Sequence, residues 1–160
     1  DNYHRIEFPE YVVVFAQTGD GEVVLERSYK HGVGQSSLVL PSGLIDEGEE
    51  PLAAARRELL EETGYAASEW RLLGSFVPNG NYGCGKAHLF TAREAHQVAQ
   101  PNSGDLEDMD IIRMKPDELV GAVQRGDIAL LGSIAAIALA LNPLFSPTDD
   151  GSSPADSLQV

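Results

Sequence analysis

The chain predicts an α+β fold, a single domain in which a mixed β-sheet is packed by a few helices. Three observations carry that expectation. A β-branched and aromatic hairpin opens the chain, a helix with explicit start and stop residues interrupts the strands near residue 50, and two more helical stretches follow the last strands. With 160 residues there is room for one ordinary domain, and 42 % hydrophobic content is enough to build its core.

Taken in order, Tyr11 to Ala16 is a strand, preceded by Pro9 and followed by the turn Thr18-Gly19-Asp20-Gly21. Glu22 to Glu26 follows at hairpin distance and pairs with it antiparallel. Ser37 to Leu40 is a short strand stopped by Pro41. Pro51 to Thr63 is a helix: proline suits its first turn, where a missing N–H costs nothing, and Gly64 is a natural left-handed stop. Leu52, Ala55, Leu59 and Leu60 form the stripe expected to face the core. Trp70 to Val77 and Lys86 to Ala92 are strands on either side of a glycine-rich loop, residues 78–85. Pro101 to Asp108 is an acidic loop, Met109 to Met114 a last strand, and Pro116 to Gln124 and Ser133 to Leu141 are helices. The domain is expected to span residues 1–143, and the Ser-, Asp- and Pro-rich residues 144–160 to be a disordered tail.

Charge narrows the function. The net charge is −14, with 25 acidic against 11 basic residues, which argues against gripping a nucleic-acid polymer by its phosphates or docking on an anionic membrane. There is no run of 18 apolar residues to span a bilayer. The single cysteine, Cys84, excludes an internal disulfide framework, so a reducing, cytoplasmic location is the expectation.

The acids are not evenly spread. Seven of them, Asp46, Glu47, Glu49, Glu50, Glu58, Glu61 and Glu62, lie between residues 46 and 62. On a helix turning 100° per residue, Glu58 and Glu62 stand about 40° apart and Glu61 about 60° from Glu58, so three carboxylates crowd one edge. Like charges at these spacings weaken a helix unless something offsets them. Clustered hard oxygens are what Mg²⁺ or Mn²⁺ takes; on the helix alone, a solvated charged face is the competing reading.

The neighbouring residues decide between them. Gly43, Glu49, Arg57, Glu58, Leu59, Glu61, Glu62, Gly64 and Tyr65 fit the pattern Gly-x5-Glu-x7-Arg-Glu-U-x-Glu-Glu-x-Gly-U, where U is bulky and apolar. This segment resembles the box of the Nudix hydrolase family, with Tyr65 where the family usually has an aliphatic residue. The resemblance implies an α/β/α sandwich and a loop–helix–loop that holds divalent cations, Mg²⁺ with Mn²⁺ as a substitute, against a diphosphate. By position it implies that Glu58, Glu61 and Glu62 are metal ligands together with the carbonyl of Ser42, and that Arg57 pairs with carboxylates such as Glu49.

Outside the box, residues 3–8, 12–16, 28–34, 40–43 and 87–92 and the stretch around Gly126 to Ala135 resemble the ADP-ribose/ADP-sugar pyrophosphatase branch. That implies a nucleoside diphosphate-linked small molecule as substrate, ADP-ribose or an ADP-sugar, cleaved to AMP and a sugar phosphate. Two positions depart from the branch: Gly80 stands where a proline is usual, and Val39 where a glutamate is usual. Neither is a metal ligand. The branch recruits its catalytic base from an acidic loop, which here points to Glu107 and then Asp105. It places cations on the substrate at positions matching Lys30 and Arg27, and Tyr82 is the candidate for stacking on a base. His88 is expected as a strand residue near the core. Homodimers exchanging N-terminal strands are usual in the branch, a role open to residues 1–10. Two other functions compete: hydrolysis of nucleoside triphosphates or dinucleoside polyphosphates, and non-catalytic nucleotide sensing.

Overall fold

A computed structural model describes residues 7–102 and 109–145. Asp105 and Glu107, residues 1–6 of the N-terminal segment, and residues 146–160 of the expected tail lie outside the described residues.

Among the described residues, eight strands form one mixed sheet: β1 (Tyr11–Thr18), β2 (Val23–Lys30), β3 (Gln35–Val39), β4 (Ser42–Leu44), β5 (Tyr65–Ala66), β6 (Glu69–Phe76), β7 (Ala87–Gln97) and β8 (Asp110–Met114). β1 is the hub. It pairs antiparallel with β2 and β4 and parallel with β7, while β6 and β5 extend the sheet beyond β7, and β3 and β8 flank β2. The helices are α1 (Pro51–Thr63), α2 (Pro116–Arg125) and α3 (Leu131–Leu141), and a 3₁₀ turn follows at Pro143–Phe145. No helix among the described residues is long and apolar enough to cross a membrane.

Strand alternation divides the core in two. Val13, Phe15, Leu25, Leu38 and Leu89 point to one face and pack with Leu119 and Ala122 of α2 and Ala136 and Ile137 of α3. Val12, Val14, Ala16, Val24, Phe90 and Ala92 point to the other and pack with Ala54, Ala55 and Leu59 of α1. Helices therefore cover both faces, and the architecture is the α/β/α sandwich.

α1 begins with Pro51 in its first turn and ends where Gly64 adopts φ 74° and its N–H donates to the carbonyl of Leu60. The expected apolar stripe is wrong in part. Ala54, Ala55, Leu59 and Thr63 are buried, whereas Leu52 and Leu60 are 36 % and 40 % exposed. The small alanines let the helix lie close to the sheet, and the contact face is rotated away from Leu60. On the helical wheel Glu62 falls between Ala55 and Glu58, 20° from the former, so the true contact face includes an acid. Two strands are absent from the sequence reading. β4 has three residues and exists only through its pairing with β1, and β5 has two. β7 runs past Ala92 to Gln97, and α3 starts at Leu131, two residues before Ser133.

Candidate functional site

The candidate site lies where α1 packs against β1 and β4, beside the middle of β2. Gly43 stands opposite Val12 in the sheet. A Cβ on Gly43 would lie 2.1 Å from the Glu58 carboxyl carbon, so only glycine lets that carboxylate rest on the strand. The amide of the preceding residue, Ser42, donates to Glu62 Oε2 at 2.8 Å. Glu58 and Glu62 are thus drawn onto β4, while Glu61, 49 % exposed at its side chain against 12 % for Glu58, stays at the rim.

Arg57 ties the box loop to the helix. Its Nε and Nη2 donate to the two oxygens of Glu49 at 3.0 and 2.8 Å, a bidentate pair. Nη2 also donates to the carbonyl of Leu44 at 3.0 Å, and Nη1 to Glu58 at 2.6 Å and Glu61 at 3.3 Å. These carboxylates raise the Arg57 pKa, the bond to Glu49 foremost, and Arg57 in turn lowers that of Glu49.

A further acid escaped the sequence reading. Glu26 on β2 is 1 % exposed and directly opposite Val39. It is hydrogen-bonded to Glu62 and faces it in charge. Burial first, and then Glu26, push the Glu62 carboxyl well above the usual range; burial also raises Glu58, against the pull of Arg57. The available signal was strand alternation: Val24 faces α1, so the residue two on must too, and that residue is an acid.

The same alternation separates the two candidate cations. Lys30 shares the α1 face with Glu26, whereas Arg27 lies on the opposite face and is exposed. Tyr82 is 47 % exposed in the 78–85 loop, its amide bonded to the carbonyl of Asn79. His88 is 8 % exposed on β7.

The donors fit a hard divalent cation by chemistry: carboxylate oxygens of Glu58, Glu61 and Glu62 beside a strand whose glycine leaves room for Glu58. They do not converge as they stand. Among the described residues, no three acidic, histidine or cysteine side chains are grouped as a ready cation cage. Arg57 draws Glu58 and Glu61 to itself, and Glu62 turns to Ser42 and Glu26.

Residues 8–131 match the NUDIX domain, which covers most of the chain and the whole site. The chain belongs to the Nudix family. Its sequence is similar to a methanol dehydrogenase activator of Bacillus methanolicus (29 % identical, over 71 % of this chain and 62 % of that protein). It is similar also to ADP-ribose pyrophosphatases of Bacillus subtilis (23 %, over 77 % and 67 %) and Mycobacterium tuberculosis (30 %, over 79 % and 62 %). The chain spans about three-fifths to two-thirds of the length of these curated relatives. Among solved structures, an ADP compounds hydrolase superposes with a TM-score of 0.74 at 24 % identity, over 82 % of this chain and 70 % of that one. That likeness is one of fold. The matched residues 8–131 include the stretch Gly43 to Tyr65 with Glu49, Glu58, Glu61 and Glu62, and also Glu26.

Proposed function

We propose that this Nudix protein hydrolyses the diphosphate bond of a nucleoside diphosphate derivative in a divalent-metal-dependent reaction, with ADP-ribose or an ADP-sugar as substrate and AMP and a sugar phosphate as products. The observation that carries the reading is the complete box on a strand–helix contact built for it: Glu58 against Gly43, Glu62 on the Ser42 amide, and Arg57 bridging Glu49 to Glu58 and Glu61. The ADP-ribose pyrophosphatases among its relatives support the choice of substrate.

In this reading Glu58, Glu61, Glu62 and the carbonyl of Ser42 hold Mg²⁺ or Mn²⁺. Bound there, the cation supplies neutralisation of the charge developing on the diphosphate and lowers the pKa of the attacking water. The protein's own part is electrostatic and positional. Arg57 keeps the box loop on the helix, Lys30 meets the substrate's negative charge from β2, and Glu107 or Asp105 takes the proton of the water. Metal ions reverse the sign of an acidic site, which lets a chain of net charge −14 accept an anionic substrate.

The test is a panel of ADP-ribose, ADP-glucose, GDP-mannose, diadenosine polyphosphates and nucleoside triphosphates, each with Mg²⁺ and with Mn²⁺. ADP-ribose or ADP-glucose should be turned over best, releasing AMP. Preference for triphosphates or dinucleoside polyphosphates would overturn the substrate. Binding of the panel without turnover would replace catalysis by sensing.

A further inference from the structure

One polar group on the α1 face of the sheet has no part in the chemistry above. His88 of β7 stands in one row with three other residues: Gly43 pairs with Val12, Val12 with His88, and His88 with Ser75. It is therefore two strands, about 10 Å, from the glycine that receives Glu58. Its Nε2 lies 2.8 Å from Glu10 Oε2 and its Nδ1 2.8 Å from Ser75 Oγ, so both ring nitrogens are bonded and the buried ring is fixed in orientation. An ionised carboxylate only accepts, so Nε2 donates to Glu10, and Nδ1 shares a hydrogen bond with the Ser75 hydroxyl.

Glu10 is the next link. While its carboxylate accepts a hydrogen bond from His88 Nε2, its backbone carbonyl accepts from the amide of Ile45 at 2.9 Å. That amide belongs to the same peptide unit as the carbonyl of Leu44, which accepts from Arg57 Nη2 at 3.0 Å. The Leu44–Ile45 peptide is therefore held from both ends, by Glu10 on its N–H and by Arg57 on its C=O. An unbroken path runs from Ser75 through His88, Glu10 and this peptide to Arg57, and from Arg57 to Glu49, Glu58 and Glu61.

We infer that His88 is a positioning residue of the box: acting through Glu10, it fixes the Leu44–Ile45 peptide and so the place of Arg57 among the box carboxylates. This rests on the proposed metal-dependent reading of the box. A hydrogen-bonded peptide orients its neighbours more sharply than apolar packing does, and a shift at this joint moves Arg57 and the ends of Glu58 and Glu61 with it.

The experiment compares wild type, His88→Leu, His88→Gln and Glu10→Ala by three readouts: exchange of the Ile45 amide and the Arg57 Nε proton by NMR, Mn²⁺ binding by electron paramagnetic resonance, and kcat and KM. Loss of the link in His88→Leu and Glu10→Ala should speed Ile45 exchange about tenfold, weaken Mn²⁺ about tenfold and lower kcat more than it raises the substrate KM. His88→Gln, which keeps a donor for Glu10, should recover most of the loss. Should His88→Leu fail to fold, the half-exposed Glu10→Ala carries the test. Unchanged Ile45 and Arg57 exchange in a folded variant would overturn the inference, as would faster exchange with unaltered Mn²⁺ affinity. If wild type itself binds no Mn²⁺, the metal reading fails, and the exchange data alone then judge whether His88 positions the peptide.

Discussion

The two faces of the central strand are built for different ends. Toward α2 and α3, Val13 and Phe15 enter a core of aliphatic side chains closed by Leu119, Ala122, Ala136 and Ile137. Toward α1, Val12, Val14 and Ala16 enter a smaller core whose margin carries Glu26, Glu58, Glu62 and His88. The first face is ordinary packing, where shape and apolar area set the stability. The second holds desolvated acids in contact with one another, an arrangement that lowers stability unless a cation or a proton offsets it. The contrast supports the proposed placement of function on the α1 face, and substitutions on the two faces should separate accordingly.

The largest expected effect is on the α1 face. Glu62→Gln should lower kcat by at least about 10²-fold, as for loss of a group that stabilises transition-state charge, while the folded protein keeps or gains thermal stability. Steady-state kinetics alongside a melting curve check both halves; a parallel loss of stability would make Glu62 a structural residue. Next comes the opposite face. Ile137→Ala, in a site 4 % exposed, should cost about 2–4 kcal/mol of stability in urea unfolding and leave kcat of the remaining folded protein unchanged. The smallest effect is at the boundary between packing and charge. Glu26→Gln removes one of two acids in contact, so the metal-free protein should melt about 2–4 °C higher, as about 1 kcal/mol does in a chain of this size. Equal or lower stability of Glu26→Gln would show that the Glu26–Glu62 contact is net favourable.

Much of this division could be read from the chain before its structure, and the part that could not has a physical cause. α1 was legible to the residue because both its ends are chemically marked, by Pro51 in the first turn and Gly64 in the left-handed cap. The spacing of Glu58, Glu61 and Glu62 on one helix was legible because it is local. β4 was not: three residues with a glycine at the centre have no period of their own, and the strand is defined by partners on β1 some thirty positions away. Glu26 was missed for a related reason. Read alone it ends a hairpin strand; only knowing that Val24 faces α1 lets alternation turn it inward toward Glu62. The contact face of α1 was misplaced because hydrophobicity favoured Leu52 and Leu60, whereas close approach to the sheet favoured Ala54 and Ala55. The Ser75–His88–Glu10 link joins three segments whose only relation is the register of the sheet.

On the proposed function, the acids of the α1 face hold the cation on which hydrolysis depends. This is tested most directly by titrating Mn²⁺ into wild type, Glu62→Gln and Ile137→Ala and counting bound metal by electron paramagnetic resonance. Tight binding is expected in wild type, the same affinity in Ile137→Ala, and binding weakened by at least about tenfold in Glu62→Gln. Wild-type affinity in Glu62→Gln would contradict it.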